Sequence, residues 1–448
     1  MTGLLDGWRT MGGSELRIVA VAAVGVLFCA CAPEQTLVAG ELDPVRIGVV
    51  TSLTGGLGTD GPGWADASRL AALEVNAAGG VLPGRPIELV ILDDETNPAT
   101  AERIGQELID QNVVGVVGAA ASSISIGISA ITGPAQIPQI SCCSTSNTIT
   151  ENARAMPEAD RYFFRTSPSD ALQSRVVALT ANELSCTSLA ILHLDDDYGQ
   201  PFGEGIESAY EASGGTVAVR VGFADEQASY VDEVAMIRDA GPDCIALVAF
   251  PGAAGTILRD WESLGETPDV TWIGTDGVRA LGFIDEVGDP RLIEGFFGTS
   301  PITDAPTPEY NDYRDHFRTV FGTEPIPFSS NQYDATVLLA LAIAHAGSTS
   351  GPAVRDALRI VSSPPSDRGI VRAGAIAEAL AEVNEGRDVD YQGASGNTDF
   401  DEFHDVQTAY EIWRYDGPDT TPCDGATALS GDRGSFCRFR TINAAEID

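Results

Sequence analysis

The sequence predicts an α/β protein made of two doubly wound parallel-sheet lobes, which a three-strand hinge joins around a ligand cleft. From Val45 onward, short apolar runs alternate with segments of helical period, which is the pattern of βαβ units. The alternation starts again after the Ser-Pro break in FRTSPSD, so the chain contains two successive βαβα blocks. A second Ser-Pro break in EGFFGTSPITD and an alternating segment near the C-terminus indicate three passages between the lobes, and this suits a hinge better than a tether.

The first block shows how the elements are assigned. In its first helix Trp64, Ala67 and Ala71 recur every three or four residues, and Gly79 follows as a helix end. The short runs rich in Val and Ile before and after it have the length of buried strands. In order, the predicted elements are VRIGVV, WADASRLAALEVNAAGG, IELVILDDE, ATAERIGQELIDQ, VVGVVG and PQIS.

The second block repeats the order, and two further segments complete the fold. NQYDATVLLALAIAHAG is predicted as a long apolar helix, and TDFDEFHDVQTAYEIWRYDG as a last strand pair. We expect lobe one to comprise residues 44–165 plus 300–396, and lobe two residues 166–299 plus 397–448 with the C-terminal tail. The elements of the second block are VVALTANEL, SLAILHLDDD, GEGIESAYEAS, TVAVRVGFA, Val231–Ala240, CIALVAF, TILRDWESLG and VTWIGTDG.

The charge balance argues against one class of partner. The 448 residues include 65 Asp and Glu but only 26 Lys and Arg, a formal net charge of −39. Such an acidic surface repels phosphate backbones, so we expect no nucleic-acid partner. The length is sufficient for two domains, each with its own core.

The N-terminus predicts export. Ile18–Ala30 contains no charge, but it is shorter than the roughly 20 residues that span a bilayer and has the length of a signal-peptide core. Small Ala30 precedes Cys31, which resembles the cleavage site of a bacterial lipoprotein, although Phe28 stands where Leu is usual. We therefore expect a signal peptide over residues 1–30, a linker over 31–43 and a lipid on Cys31, with a plain cleaved signal as the alternative.

Export places the cysteines in an oxidising compartment, where disulfides form. Cys423 and Cys437 close a Gly- and Ser-rich loop and are predicted to pair. Cys186 and Cys244 each precede an apolar strand at a similar offset, so they pair if the two strands are neighbours; two buried thiols are the alternative. The chain contains no C-x-x-C or H-x₃-H spacing, so no structural zinc site is expected.

The adjacent Cys142 and Cys143 in QISCCSTSNTIT raise several possibilities: a metal site, a redox pair, a nucleophile or plain wall. Metal binding lacks partner ligands and nucleophilic chemistry lacks a nearby base. A disulfide between neighbours would strain the intervening peptide and is not expected. We interpret the pair as wall of the cleft, with Cys143 offering backbone contact and small volume to a ligand.

Several segments together carry a family resemblance. They are IGVVTSLTGG, LEVNAAGGVLPGRPIELVILDDE, VVGAAASS, QISCCSTSNTIT, FFRTSPSDALQS, DDDYGQPFGEG and NQYDAT. With them the chain resembles the type I periplasmic binding proteins from about Val45 to about Tyr415, and most of all the leucine/isoleucine/valine-type receptors of ABC importers. The N-A-A-G-G-V helix end followed by the D-D strand is the most specific part; the other segments are weak singly.

A carboxylate site is predicted from the strand ends of lobe one. In open α/β sheets, ligands bind beyond the carboxyl ends of the strands. Ser122 and Ser123 lie at the first turn of a helix, where free N–H groups and the helix dipole attract anions. Ser122 and Thr145 can add hydroxyl donors, while the alternative is that Ser122 only caps the helix.

The resemblance also implies residues on lobe two. Asp276, at the end of the strand VTWIG, corresponds to the group that pairs with the α-amino nitrogen of the ligand, although Asp-Gly is also a frequent turn. Tyr198 matches a position at which an aromatic ring closes over the ligand, and Phe250 would line the cleft wall. Tyr333 also matches the family and is interpreted as packing between the lobes.

One departure from the family concerns ligand choice. The branched-chain receptors commonly place an aromatic ring in the first loop, whereas this chain has Thr59, Asp60 and Gly61 there. A carboxylate at that place disfavours a purely aliphatic ligand through desolvation. Our hypothesis is that the ligand is polar or cationic, unless Asp60 points to solvent.

The resemblance implies a monomeric, extracytoplasmic solute-binding protein that closes on an amino acid and delivers it to ABC permease subunits, without a cofactor. The alternative is a sensor of the same fold for an amide, a urea-like compound or a small carboxylate. Catalysis is not expected, because the sequence has no G-x-S-x-G elbow and no Walker loop.

Overall fold

The computed structural model of the protein describes residues 43–265, 269–363, 369–418, 428–431, 434–443 and 446. The predicted signal peptide, Cys31 and the linker up to residue 42 lie outside these residues. Cys423 lies outside them too, and with it the predicted pair with Cys437.

The first block folds into a five-stranded sheet in the order β2-β1-β3-β4-β5, and all of its strands are parallel. Helices cover both faces, since Val116 packs in the cluster that contains α2 and α3, whereas its neighbour Val117 packs with α1 and α11. This is the doubly wound arrangement expected from the alternation. The elements are β1 Val45–Thr51, α1 Gly61–Ala77, β2 Ile87–Asp93, α2 Ala101–Asp110, β3 Gly115–Val117, α3 Ser122–Thr132, β4 Gln139–Ser141, α4 Asn147–Ala155 and β5 Phe163–Arg165, with α11 being Ser329–Ala346.

The second block supplies the parallel part of the other sheet, in the order β10-β9-β8-β6-β7. Because β6 and β8 are direct neighbours, Leu189 pairs with Cys244, and the structure joins Cys186 to Cys244 by a disulfide. The elements are α5 Asp170–Glu183, β6 Leu189–Leu194, α6 Gly199–Ala212, β7 Val217–Phe223, α7 Val231–Ala240, β8 Cys244–Val248, α8 Pro251–Ser263, β9 Thr271–Gly274, α9 Leu281–Val287 and β10 Phe297–Pro301.

The chain then returns to lobe one. Every residue of α11 from Ser329 to Ala344 is buried, which explains the apolar run from Val337 to Ala344. Tyr333 lies in this core against Tyr313 and donates its hydroxyl hydrogen to Glu74, so the prediction that it packs between the lobes is wrong. The other returning elements are α10 Pro308–Phe321, α12 Gly351–Ser362, β11 Gly369–Arg372, α13 Ile376–Asn384, β12 Val389–Gly393 and β13 Gly396–Asn397.

Three antiparallel strands complete the sheet of lobe two, giving the order β15-β16-β14-β10-β9-β8-β6-β7. They are β14 Tyr410–Asp416, β15 Ala428–Gly431 and β16 Gly434–Ile442. The predicted strand pair over the segment before residue 416 is a single strand, and the tail that we expected to be held by a disulfide alone contains the nine-residue β16. The pattern was missed because short polar residues dominate the segment before β16.

The chain passes between the lobes three times, after β5, after β10 and before β14. Arg165 donates its backbone N–H to His404, and Ile302 donates its own to Ala409, so the third crossing is hydrogen-bonded to both of the others. Phe400 packs in the core of lobe one, which therefore extends beyond the predicted boundary at residue 396.

None of the described helices is, by itself, long and apolar enough to cross a membrane. The helices α11 and α12 satisfy the length and composition criteria only as a pair, and they meet at an angle of 113°.

A buried guanidinium fixes the base of the cleft. The side chain of Arg165 is fully buried and donates to the Asp405 carboxylate at 2.6 Å and to the Thr150 hydroxyl at 2.7 Å. It also donates to the carbonyls of Ser144 and Ser146. Arg165 thereby ties β5, the loop after β4 and the third crossing together.

Substituting Arg165→Ala would leave the Asp405 carboxylate buried without its partner. We expect the free energy of unfolding to fall by about 3–5 kcal/mol, measured by urea denaturation of the mature chain. The control is Arg46→Ala, whose ion pair with Glu88 is about half exposed and whose loss should change stability by less than about 1 kcal/mol. Equal losses of stability in Arg165→Ala and Arg46→Ala would contradict the stabilising role of the buried Arg165–Asp405 ion pair.

Candidate ligand site between the lobes

A small cavity of about 50 Å³ lies between the carboxyl ends of the two parallel sheets. Asp60, Cys143, Phe250 and Asp276, all predicted site residues, line it. Lobe one contributes Leu57, Asp60, Trp64, Ala120, Cys143, Pro327 and Phe328, and lobe two contributes Phe250, Asp276, Gly277, Arg279 and Ala280.

The side chains of Gln173 and Tyr198 hold the Asp276 carboxylate in place, and both approach the same oxygen, Oδ1. Asp276 follows β9, and Gln173 donates to its Oδ1 at 2.9 Å while the Tyr198 hydroxyl lies 3.4 Å from the same atom. Oδ2 receives no such bond from the described residues and stays available to a ligand. Burial raises the pKa of Asp276 to about 6, although the bonds from Gln173 and Tyr198 act in the opposite direction.

Asp60 stands on the opposite wall and has no polar partner. It is the residue before α1, but its side chain accepts no hydrogen bond from the helix. It is only 7% exposed, so it does not point to solvent. Burial alone raises the pKa of Asp60 to about 7. The ionised carboxylate of Asp60 is therefore buried without a hydrogen-bond donor to stabilise its charge.

Behind Asp276 lies a third acid, Asp170, at the start of α5. Burial and the charge of Asp276 raise the pKa of Asp170 well above its ordinary value, and the adjacent hydroxyl of Thr145 acts in the opposite direction. The Thr145 carbonyl accepts from the Asp170 N–H at 2.8 Å, and Thr145 is not among the residues that line the cavity, so its contact with a ligand carboxylate stays a prediction. Asp170 is the last residue of FRTSPSD, a segment that the sequence analysis interpreted only as a break between the lobes.

The two serines of the predicted carboxylate site are engaged elsewhere. Ser122 is the first residue of α3 and does not cap it; its hydroxyl accepts from the N–H of Ser146. Ser123 donates across the lobes to Asp196 at 3.1 Å, and Ser146 donates to the carbonyl of Asp197. Both predicted residues lie beside the cavity, not on its wall, and they contribute to contact between the lobes. A carboxylate anchor at this helix end stays a prediction.

Cys142 and Cys143 are joined by a disulfide, contrary to our expectation. β4 ends at Ser141, and the Ser141 hydroxyl accepts from the N–H groups of Cys143 and Ser144. The chain therefore bends immediately after the strand, so the two cysteine side chains do not alternate as they would in a strand. Cys143 still presents wall to the cavity, as predicted.

Two aromatic residues form the wall on lobe two. The rings of Tyr198 and Phe250 are stacked with centroids 5.5 Å apart, and only Phe250 reaches the cavity. The Tyr198 hydroxyl bonds with Thr275 at 3.0 Å. Tyr198 thus supports Phe250 and Asp276 from behind, and the closure of its ring over a ligand stays a prediction.

Trp64, Phe328 and Arg279 are among the cavity residues that the sequence analysis missed. Trp64 was interpreted as a core residue of helical period, yet its ring lines the cavity and its Nε1 donates to the carbonyl of Pro327 at 2.8 Å. Phe328, just before α11, carried no recognisable signal. Arg279 could have been found, since a charged residue three positions after Asp276 belongs to the same strand-end loop.

Arg279 is neutralised within the protein. Its guanidinium pairs with Glu411 at 2.6 Å and with Asp304 at 3.3 Å, and it is 2% exposed. Arg438 on β16 pairs with the same two acids. The four groups form a balanced network that joins the cavity wall to the second and third crossings.

A cavity enclosed by two hinged α/β lobes, with unsatisfied carboxylates on both walls, defines a solute-binding protein. The family described as periplasmic binding protein matches residues 44–416, and the chain belongs to it. This confirms the predicted resemblance and implies an extracytoplasmic location.

Individual relatives and structures agree with that assignment. An amino acid binding protein of Pseudomonas aeruginosa is 27% identical over 325 residues, which cover 72% of this chain and 84% of that protein. A chemotactic signal transduction system substrate-binding protein, BasB, of Halobacterium salinarum is 25% identical over 379 residues, which cover 82% of this chain and 86% of that protein. The crystal structure of the leucine binding protein LivK from Thermotoga maritima superposes with a TM-score of 0.72 at 20% identity, covering 90% of this chain and 99% of that one.

The raised pKa of Asp60 predicts a pH-dependent stability. The pKa of Asp60 is about 7 in the folded protein and 3.8, its ordinary value, in the unfolded chain. Between pH 3.8 and about pH 7 the folded protein therefore binds the Asp60 proton more tightly than the unfolded chain does. The free energy of unfolding falls as the pH rises through this range. Asp60→Asn removes this penalty. We expect its stability advantage over the ligand-free wild type to grow by about 2 kcal/mol from pH 5 to pH 8 in urea denaturation.

The control is Asp243→Asn. Slight desolvation raises the pKa of Asp243, but hydrogen bonds from Thr187 and Ser188 outweigh it and lower the pKa below its ordinary value. Asp243 is therefore ionised above about pH 5 in both the folded and the unfolded chain. Its stability difference from the wild type should not change over this range. A difference for Asp60→Asn that is constant with pH would show that Asp60 is not desolvated.

Proposed function

We propose that the protein is the solute-binding component of an ABC importer, which binds an amino acid between its lobes by hinge closure and delivers it to the permease subunits. The observation that carries this proposal is Asp276, which lines the cavity; its Oδ1 accepts from Gln173 and lies 3.4 Å from the Tyr198 hydroxyl, while its Oδ2 accepts no side-chain hydrogen bond from the described residues. An ammonium group at Oδ2 would complete the hydrogen bonding of a buried carboxylate and stabilise the closed arrangement.

A second candidate is a sensor of the same fold that reports ligand to a signalling partner. The similarity to the chemotactic substrate-binding protein of Halobacterium salinarum favours it. Both functions use the same closure, and they differ in the partner that recognises the closed lobes. The alternative ligands are amides, urea-like compounds and small carboxylates.

We also propose that the protein has no catalytic activity. No histidine lines the cavity among the described residues, and Cys143 is held in a disulfide. His193 contacts the carbonyl of Leu194 and the guanidinium of Arg220 at a separate place on lobe two. Saturable hydrolysis of amino-acid amides that disappears in Ser122→Ala would contradict this part of the proposal.

Thermal denaturation in the presence of single amino acids tests the ligand class. A ligand at about 100 times its Kd should stabilise the mature chain by about 2.7 kcal/mol. We expect Asp276→Asn to weaken the binding of every responding amino acid by about tenfold or more, because a charge-assisted hydrogen bond is lost.

The matched control is Asp225→Asn, which removes the same formal charge from a site next to Gly56 but outside the cavity wall. Its affinity should equal that of the wild type. A response to amides, urea or carboxylates without any response to amino acids would favour the alternative ligands. Unchanged amino-acid affinity in Asp276→Asn would refute the ammonium assignment.

The lipid anchor on Cys31 is a further part of the proposal. We expect the exported protein to partition with membranes, and mass spectrometry of its N-terminus to find the lipid on Cys31. An unmodified N-terminus at any other residue would show that the signal is cleaved without lipidation.

A further inference from the structure

Asp60 is the cavity group that the proposed function leaves unexplained. An α-amino acid supplies one ammonium, which Asp276 is proposed to accept, and one carboxylate. Neither satisfies Asp60, which stands on the other lobe and has neither a hydrogen bond nor an ion pair from the described residues. The nearest favourable field is the N-terminal end of α1, a fraction of one charge.

The charges around the cavity are not balanced within the protein. Arg279 is the only basic side chain among the described residues that line it, and its charge is shared with Glu411 and Asp304. Asp60 and Asp276 therefore face the same space without a counter-charge from the protein. An uncompensated buried carboxylate is costly, so the missing positive charges must come from the ligand or from protons.

An aliphatic ligand would bury Asp60 against methyl groups. A ligand whose side chain ends in a cationic nitrogen would instead donate to Asp60 while its α-ammonium pairs with Asp276. The rings of Trp64 and Phe328 line the same cavity, and aromatic faces attract cations. The apolar stem of such a side chain also suits Leu57.

We propose that this receptor selects amino acids with a short basic side chain, and that Asp60 is the residue that selects them. The inference rests on the proposed function, because it places the α-ammonium on Asp276. The cavity is small, about 50 Å³, which favours a short side chain.

Pairs of isosteric amino acids isolate this role. 2,3-Diaminopropionate and 2-aminobutyrate differ only by an ammonium in place of a methyl group, as do 2,4-diaminobutyrate and norvaline, and ornithine and norleucine. Isothermal titration calorimetry of the mature wild type at pH 7.5 should find the basic member of at least one pair bound about tenfold or more tightly.

In Asp60→Asn this preference should fall to within about threefold, because the amide keeps the shape but loses the charge. Asp225→Asn is again the matched control, and it should keep the preference of the wild type. Both variants are first compared with the wild type by urea denaturation, and Asp60→Ala provides a second substitution if the amide itself bonds to the ligand.

The outcomes separate the two proposals. If no amino acid binds the wild type, the proposed function fails. If amino acids bind, and Asp276→Asn weakens them, but the neutral members bind as well as the basic ones, the proposed function stands and the selection by Asp60 is refuted. A basic preference that survives in both Asp60→Asn and Asp60→Ala would also refute it.

Discussion

The position of the cavity wall depends on the buried guanidinium of Arg165. The loop that follows β4 carries Cys143, and its backbone carbonyls at Ser144 and Ser146 accept hydrogen bonds from Arg165. The carboxylate of Asp405, in the third crossing, accepts a further bond from the same group. A planar guanidinium offers its donors in fixed directions, so these contacts set the loop relative to the hinge. Without them the wall would be free to move independently of the crossings.

On this scaffold the cavity carries more negative than positive charge. Parallel strands of both sheets end at the cleft, so loops from both lobes bring their side chains to one space. Most charges there are satisfied internally, such as the network of Arg279, Glu411 and Asp304. Asp60 and Asp276 on the cavity wall and Asp170 behind it are the exceptions, and burial is the first cause of the raised pKa of each. A ligand that supplies donors to Asp60 and Asp276 would remove a penalty that the closed protein otherwise carries.

Much of the fold could be predicted from the sequence, because hydrophobic period is a local property. The helix over Val231–Ala240 agrees with its prediction residue for residue, and the sheet orders follow from the βαβ rule. β16 was missed because its pairing with β14 is a contact between distant segments. The boundary of lobe one was placed early for a similar reason, since Phe400 is identified as a core residue only by its packing.

The site could be predicted in part, and the missing part has a physical explanation. Asp60, Cys143, Phe250 and Asp276 follow strand ends and line one cavity, because topology alone brings these positions together; their contact with a ligand stays a prediction. The direction of a side chain at a strand end depends on contacts that sequence does not reveal. Ser123, for example, is directed to Asp196 on the other lobe. The errors therefore concern which polar groups are already paired.

The pairing of polar groups also links ligand charge to the hinge. Arg279 lines the cavity, while its partners Asp304 and Glu411 lie at the second crossing and on β14, just after the third, and both also pair with Arg438 on β16. Arg279, Glu411 and Arg438 all belong to lobe two, so bending the crossings would leave them together and would move only Asp304, which lies at the second crossing. A cationic ligand would neutralise the negative charges of Asp60 and Asp276 in the cavity. It would not compete with Arg279, whose charge is already paired with Glu411 and Asp304. Ligand binding is then favoured by one electrostatic requirement, which is that the carboxylates of Asp60 and Asp276 on the cavity wall receive a positive partner.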